Sequence, residues 1–470
     1  MGIKIRCKIL NKPVIKLIFS VKKKEELKDL THEELLKYVE NLTDNLVVEK
    51  PKKDSTNSSK APSSDMGITP KKNQSLRTKS DKLSGGQKGH KGKTLMQSDT
   101  PDEIIDVEYT LDSCKECGSD LNDALKQLKE KRQVLDLDLE AIKSKITQYQ
   151  SYSKICSNCG YDNHDNSYPA LVAPNISYGQ NIMAIVSYLS TVHYLSYNRI
   201  VSAMRSLYGI SLSEGVVDNI IKRSSKLSFK EIEKITKELE LSDIVGIDET
   251  GCKVDGARYW HWAFQNDRST LIVANKSRGT VVITDTFEDG FVNACIVHDN
   301  YSSYSSLIAK DEQLCLAHKL RDLNYAIECD NTQVMKDIKQ LVQEAMLDHK
   351  EDLLPIQREI LKEQYLQYLD MLLSTQVTPK SQTHKQINSF RKARDKIFTF
   401  LLYPNIPPDN NGSERAIRNV KVKLKVSGQF KSEDGAKDYA NLRSIVDTSH
   451  KRGINEFKAL RDVVAGISVF

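Results

Sequence analysis

The spacing of apolar residues changes several times along the chain, and each change predicts a different kind of element. Residues 22–47 place six apolar residues near helical spacing, which predicts a short amphipathic helix within an N-terminal segment, residues 1–48. The six are Leu27, Leu30, Leu35, Leu36, Val39 and Leu42. Residues 49–84 are mainly Lys, Ser, Asn and Pro with few large apolar side chains, a composition typical of a disordered basic linker.

Helical spacing returns at residues 179–226, which predict consecutive amphipathic helices in a domain spanning residues 171–240. A break at Gly209 and a capping Ser213 separate two helices, the second ending in Lys222 and Arg223. This punctuation is typical of a helix-turn-helix, in which the two basic residues would contact DNA. It also occurs in helical proteins that never bind DNA, so both interpretations stay open.

From about residue 241 the pattern changes to short apolar or alternating runs, which predict strands. The runs "SDIVGIDETG", "ARYWHWAFQND" and "STLIVANKS" predict a three-stranded antiparallel meander, and "NACIVHDNYSSY" predicts a fourth strand. The run "EQLCLAHKLRDL" predicts a further strand that passes into a helix. The order βββαβαβα is that of a ribonuclease H-like mixed sheet, here over residues 241–470 with a charged helical insertion at about 319–400.

Composition adds bounds to this picture. With 470 residues the chain is long enough for two or three domains, and 69 Lys and Arg against 63 Asp and Glu give a net charge of +6. Such a mild excess admits nucleic acid as a partner without requiring it. No apolar run approaches 18 residues, and the first 20 residues lack a long apolar core and a cleavage site, so we expect a cytoplasmic protein without membrane contact.

Four of the nine cysteines form two CxxC pairs in residues 85–170, namely Cys114, Cys117, Cys156 and Cys159. Each pair turns two thiolates to one side, and four thiolates suit one tetrahedral Zn²⁺ with no open position. We therefore predict a structural zinc ribbon, with redox chemistry as the alternative. The glycine- and lysine-rich stretch Gly85–Thr94 lacks the spacing of a phosphate-binding loop, so we do not predict a nucleotide site there.

Three acids fall at positions that a ribonuclease H-like sheet would bring to one edge. Asp248 ends the first predicted strand and Asp299 ends the fourth. Glu414 lies one turn into a helix that begins at Asn410 or Asn411, after a Pro-Asp-Asn-Asn-Gly turn. Together, three carboxylates can bind two divalent cations for phosphodiester chemistry, and carboxylate and water ligands suit Mg²⁺ or Mn²⁺.

Neighbouring residues refine this interpretation. Glu249 should face the opposite side of the sheet if the strand continues through it, which makes Asp248 the better ligand. Arg415 and Arg418 share a helix with Glu414 and would offer donors to DNA phosphates, although such spacing is also ordinary surface charge.

From about Gly85 to the end, the chain resembles DDE transposases of the IS66 family. The likeness rests on "GGQKGHKGKTL", the paired CxxC, the helix-turn-helix segment and "IDETGCKVDGARYWHWAF", and most specifically on "VHDNYSSY", "QLCLAHKLRDL" and "NNGSERAIRNVKVKLKVSGQFKSEDGAKDYANLRS" in this order. The resemblance implies that Asp248, Asp299 and Glu414 are the catalytic triad. It also implies that Cys315 and His318, which match a CxxH element, support the site. One departure is Asn300, where many relatives have Gly.

The expected protein is an α/β multidomain transposase, in which a zinc ribbon and a helical helix-turn-helix domain precede the ribonuclease H-like domain. Its partners would be double-stranded DNA at the terminal inverted repeats and at the target. By analogy we expect a homodimer on DNA, located at the nucleoid, and leave open whether small accessory proteins are needed. The alternatives are an inactive DNA-binding protein derived from a transposase and a ribonuclease H-like nuclease that cleaves without joining.

Overall fold

The computed structural model describes residues 177–304, 307–349 and 352–470, together with two short strands and isolated residues before them. The early strands β1 (Ser153–Ile155) and β2 (Asp162–His164) pair antiparallel. The second CxxC pair falls in the connection between these strands. Of the four cysteines of the predicted zinc ribbon, Cys117 and Cys159 are exposed, while Cys114 and Cys156 lie outside the described residues. The zinc ribbon therefore stays a prediction.

Between residues 177 and 243, four helices precede the main sheet. They are α1 (Gln180–Thr191), α2 (Tyr197–Tyr208), α3 (Glu214–Leu227) and α4 (Phe229–Glu240). Gly209 ends α2 with a left-handed φ of 65°, and Ser213 Oγ accepts a hydrogen bond from Val216 N–H at 3.2 Å, so the predicted break and cap are confirmed. The prediction that the second helix ends at Lys222 and Arg223 is wrong, because no helix-breaking residue follows them and the next turn stays helical.

A five-stranded mixed sheet forms the centre of the described chain. Its elements are β3 (Ile244–Val254), β4 (Ala257–Gln265), β5 (Thr270–Asn275), α5 (Val281–Thr286), β6 (Phe291–His298) and β7 (Ala309–Leu314). The strand order is β5-β4-β3-β6-β7, with β3, β4 and β5 antiparallel and with β6 parallel to both β3 and β7. The predicted meander is confirmed. The helix predicted between the fourth and fifth strands is, among the described residues, a single 3-10 turn at Ser302–Tyr304.

The first strand of this sheet is longer than the sequence pattern suggested. Asp248 does not end it, because the antiparallel ladder with β4 continues from Asp248 opposite Ala263 to Val254 opposite Ala257. The parallel ladder with β6 stops earlier, at Gly246 opposite Val297. Asp248 therefore lies where β3 loses its neighbour on one side while keeping it on the other.

Helices make up most of the remaining chain. They are α6 (Leu316–Asp330), α7 (Gln333–Asp348), α8 (Pro355–Leu373), α9 (Gln382–Lys392), α10 (Asn411–Ser427), α11 (Glu433–Lys451) and α12 (Glu456–Val464). The predicted helices between the sheet and α10 in sequence are present, and α6 to α9 pack around a common core with residues of β6 and β7. The helix expected to begin at Asn410 or Asn411 is α10, which confirms that prediction.

The sheet separates two further cores. On one face, α1 to α4 pack with α11, α12 and sheet residues such as Trp262 and Phe264. On the other face, α10 and the start of α11 cover Ala263 and Ile272. In the part of the chain that the structure describes, no helix is both long and apolar enough to cross a membrane.

Few residues of the N-terminal region are described. Thr31 Oγ1 accepts from Glu34 N–H at 3.4 Å and the Glu34 carboxylate accepts from Thr31 N–H at 2.9 Å, an arrangement typical of a helix start inside the predicted amphipathic segment. Asp54 and Asn57, within the predicted basic linker, are buried, and Asn57 Nδ2 donates to Glu328 on α6 at 2.7 Å. This contact was not expected from a disordered linker. The rest of these two segments lies outside the described residues.

Candidate active site

Two of the three predicted carboxylates follow the point where β3 and β6 stop pairing with each other. Gly246 and Val297 are the last pair between these parallel strands, and Asp248, within β3, and Asp299, directly after β6, each lie two positions further along. Because side chains alternate along strands, residues two positions after a matched pair share one face of the sheet. The strand pairing therefore brings Asp248 and Asp299 to adjacent positions, although 51 positions separate them.

The pKa of the Asp248 carboxyl group is raised, because the group is buried and other negative charges act on it. Burial raises the pKa of this carboxyl well above its usual value, and the negative charges of Asp299, Glu249 and Glu414 raise it further. The other two predicted carboxylates, Asp299 and Glu414, thus both raise the pKa of Asp248. Such a cluster favours either a retained proton or a bound cation.

The helix that carries Glu414 is tethered to β3 next to Asp248. Asn410, immediately before α10, donates from Nδ2 to the carbonyl of Ile247 at 2.6 Å, and its Oδ1 accepts from Ser413 Oγ at 2.7 Å. Glu414 lies in the first turn of α10, where its backbone N–H donates to Asn410 O at 3.1 Å. The Asn-Asn-Gly-Ser turn therefore holds the start of α10 against Ile247, the residue next to Asp248 in β3.

Glycines make this close approach of helix to strand feasible. A Cβ atom on Gly246 would lie 2.6 Å from Ser413 Oγ and 2.8 Å from Asn410 Oδ1. A Cβ atom on Gly412 would lie 2.5 Å from Gln265 Nε2. Any larger side chain at either position would push the start of α10 away from the sheet.

Cys315 and His318, at the start of α6, lie against Glu414. His318 Nε2 is 3.8 Å from Glu414 Oε1, and Cys315 Sγ accepts from Asn410 N–H at 3.2 Å. Burial raises the pKa of the Cys315 thiol to about 12, whereas burial and the nearby Arg321 lower the pKa of His318. Without a bound cation, the pair is therefore a neutral thiol and a neutral imidazole.

The turn after Asp299 is held by groups that the sequence did not single out. His298 Nδ1 accepts from Asn300 N–H at 3.1 Å, and its Nε2 faces Glu312 Oε2 at 3.0 Å, which fixes the imidazole orientation. Tyr301 N–H donates to Asp299 Oδ1 at 3.0 Å. Asn300 has a φ of 71°, a left-handed conformation that Gly adopts freely and Asn tolerates better than most residues. Asn can therefore occupy this turn with less strain than a β-branched residue would.

Glu249 lies on the opposite face of β3 from Asp248, as predicted, and takes part in a separate buried network. Its Oε1 accepts from Arg278 Nη2 at 2.6 Å, and it also accepts from the hydroxyl of Tyr304. The Arg278 guanidinium lies 4.5 Å from the ring centre of Trp260 and 3.7 Å from that of Tyr301. This network supports the loop that follows Asp299. Nothing local in the sequence indicates it, because its members come from four separate segments.

The predicted DNA-binding cations lie at two places. Arg415 and Arg418 are exposed on α10, and Arg418 Nη2 is 3.9 Å from Glu414 Oε2, so Arg418 lies beside this carboxylate. Lys222 and Arg223 lie on α3, which packs against α1 and α11, and Lys222 Nζ is 3.5 Å from Asp218 Oδ2. The structure thus gives α10, but not α3, a direct contact with the acidic cluster.

The donor set fits divalent cations. Asp248 is buried, and the negative charges of Asp299 and Glu414 both raise the pKa of its carboxyl group. A buried carboxylate among like charges is costly unless a proton or a cation neutralises it. Asp248, Asp299 and Glu414 are therefore the residues that could hold Mg²⁺ or Mn²⁺.

Fold and site together define a mixed α/β protein with an acidic cluster at the carboxyl edge of its sheet. The family model described as "Transposase IS66 family" matches residues 175–438, more than half of the chain, and the chain belongs to this family. A second model, described as a family of unknown function (DUF6444), matches residues 21–96. Among curated proteins, no match is found.

Proposed function

We propose that the protein is a DDE transposase that binds the terminal inverted repeats of an insertion sequence and catalyses strand cleavage and strand transfer. The observation that carries the proposal is that the negative charges of Asp299 and Glu414 both raise the pKa of the buried Asp248, and that the pairing of β3 with β6 brings Asp248 and Asp299 to adjacent positions. All three lie inside the region matched by the transposase family. Phosphodiester chemistry needs such a convergence, because its charged groups gather at one phosphate.

The topology supports a ribonuclease H-like assignment for this domain. Three antiparallel strands are followed by two parallel ones, and the strand order is β5-β4-β3-β6-β7. The three-stranded antiparallel part of this arrangement is the meander predicted from the sequence. Asp248 lies within the central strand β3, and Asp299 directly follows the parallel strand β6 beside it.

The proposed roles follow from the contacts. Asp248 within β3, Asp299 directly after β6 and Glu414 on a tethered helix would hold two Mg²⁺ or Mn²⁺ ions. When bound, these ions lower the pKa of the attacking water or 3′-hydroxyl and stabilise the leaving oxygen. Arg415 and Arg418 beside Glu414 would bind backbone phosphates of the DNA.

End recognition is assigned to the regions before the sheet. The zinc ribbon of Cys114, Cys117, Cys156 and Cys159 would hold one structural Zn²⁺, and α2 and α3 would form the helix-turn-helix. Lys222 and Arg223 on α3 would contribute phosphate contacts. A synaptic complex on two DNA ends would need a dimer, which remains part of the proposal.

Three isosteric variants test the assignment: Asp248→Asn, Asp299→Asn and Glu414→Gln. Each removes a charge but little volume, so each should abolish cleavage of DNA that carries the element ends and leave the gel shift largely intact. Asp243→Asn, an exposed acid at the start of β3, is the matched control and should cleave like wild type. Cleavage by any one of the three variants would remove that residue from the triad.

The same assay separates the alternatives. A nuclease of the same fold would cleave but would not join the 3′-end to target DNA. An inactive descendant of a transposase would shift the DNA without cleaving it in Mg²⁺ or Mn²⁺. A transposase cleaves at the element end and yields joined product.

A further inference from the structure

A second cluster of metal-ligating groups lies beside the acidic edge. One ligand atom each from Cys315, His318 and Glu414 lies within 4.8 Å of the other two, and the measured distance from His318 Nε2 to Glu414 Oε1 is 3.8 Å. Ligands around a tetrahedral zinc ion, bound at about 2.0–2.3 Å, stand roughly 3.3–3.7 Å apart. The cluster is therefore close to the size of a zinc site.

A polar atom of this cluster lacks the partner that a buried group requires. Among the described residues, Glu414 Oε1, which faces His318 Nε2, is buried without a hydrogen bond. A buried carboxylate oxygen without a hydrogen bond, next to an imidazole and a thiol, points to an ion or a water molecule rather than to a packing role. Cys315, 1% exposed, completes the group from the N-terminal end of α6.

We propose that Cys315, His318 and Glu414 bind a zinc ion that is separate from the divalent cations at Asp248 and Asp299. Thiolate, imidazole and carboxylate together are a donor set that zinc accepts, whereas Mg²⁺ does not take sulfur ligands. Three protein ligands leave a fourth position for water. The hydrogen bond from Asn410 N–H to Cys315 Sγ is the kind of outer contact that orients a metal-binding thiolate.

The ion would join two helices at the site. Cys315 and His318 belong to the start of α6 and Glu414 to the start of α10. The start of α6 also donates a backbone hydrogen bond to the segment before α10, from Leu316 N–H to Pro408 O at 2.9 Å. Glu414 Oε1 faces His318 Nε2 at 3.8 Å, and its Oε2 lies 3.9 Å from Arg418 Nη2, so the zinc ion would take the first of these oxygens. Cys315 and His318 are in this view positioning residues for Glu414.

Zinc content of the purified, reduced full chain tests the proposal. Elemental analysis should find one zinc ion per chain fewer in Cys315→Ser than in wild type. Zinc held elsewhere, including the predicted ribbon, contributes equally to both proteins and cancels in the difference. Cys329→Ser, at the other end of the same helix, is the matched control and should keep the wild-type zinc content.

A second variant guards against misfolding of the first. Glu414→Gln keeps the size of the side chain and should release this zinc ion to a chelator at lower concentration than wild type does. Equal zinc content in wild type and Cys315→Ser, or equal chelator sensitivity in wild type and Glu414→Gln, would overturn the proposal. The measurement does not depend on DNA cleavage, so it stands or fails separately from the transposase assignment.

Discussion

Adding one methyl group at Gly246 should displace the start of α10. Its Cβ atom would lie 2.6 Å from both Ser413 Oγ and Gln265 Nε2, and 2.8 Å from Asn410 Oδ1, all shorter than a van der Waals contact. Replacing Gly by Ala usually stabilises a protein by about 0.4–1 kcal/mol through the unfolded state. Overpacking costs about 1–3 kcal/mol, so Gly246→Ala should lower the free energy of unfolding by roughly 1–2 kcal/mol.

Gly251→Ala in the same strand is the matched control. Its Cβ atom would meet the Trp260 ring at 3.5 Å, an ordinary contact, so its stability should equal or exceed that of wild type. Denaturant unfolding measures both variants, and DNA cleavage measures the effect on the site. A shift of about 1 Å in a catalytic group can cost on the order of 100-fold in rate, so Gly246→Ala should lose cleavage while Gly251→Ala keeps it. Indistinguishable variants would refute the account of how α10 is seated.

Further predictions concern the acidic edge, the turn after it and the DNA contacts. Folding raises the pKa of Asp248, so metal-free wild type should lose stability as pH rises from about 4 through that raised pKa. In chelator at pH 7, Asp248→Asn should therefore melt at a higher temperature than wild type. Added Mg²⁺ should reverse this order. Asn300→Gly should be neutral or stabilising by up to about 1 kcal/mol in denaturant unfolding, and Asn300→Val destabilising, because φ is 71°. Arg418→Gln should reduce the salt dependence of DNA binding by about one phosphate contact in gel shifts. Serine at all four ribbon positions should remove about one zinc ion by elemental analysis. Those positions are Cys114, Cys117, Cys156 and Cys159.

Local signals made part of this site predictable. The Pro-Asp-Asn-Asn-Gly run predicts a turn followed by the start of a helix, and α10 begins there with Glu414 in its first turn. An apolar strand followed directly by Asp299 is equally local, since β6 ends at His298. Gly209 and Ser213 carry their own conformational preferences, so the break between α2 and α3 could be placed to the residue.

What depends on tertiary pairing could not be predicted. The end of β3 was misplaced because its length is set by β4, which continues the ladder beyond Asp248. The contact between His298 and Glu312 joins two strands, and that between Glu249 and Arg278 joins segments 29 residues apart. A sequence pattern carries no signal for such pairs, because each residue alone is an ordinary strand or loop residue.

The central claim is that three residues far apart in sequence hold common divalent cations. Local oxidative cleavage tests it most directly: Fe²⁺ replaces Mg²⁺ in the purified protein, and peroxide with ascorbate then cuts the polypeptide near the bound iron. The account predicts fragments that end near residues 248, 299 and 414 together, suppressed by excess Mg²⁺ and lost at all three places in Asp299→Asn. Cuts near only one of these residues, or an unchanged pattern in Asp299→Asn, would contradict the claim.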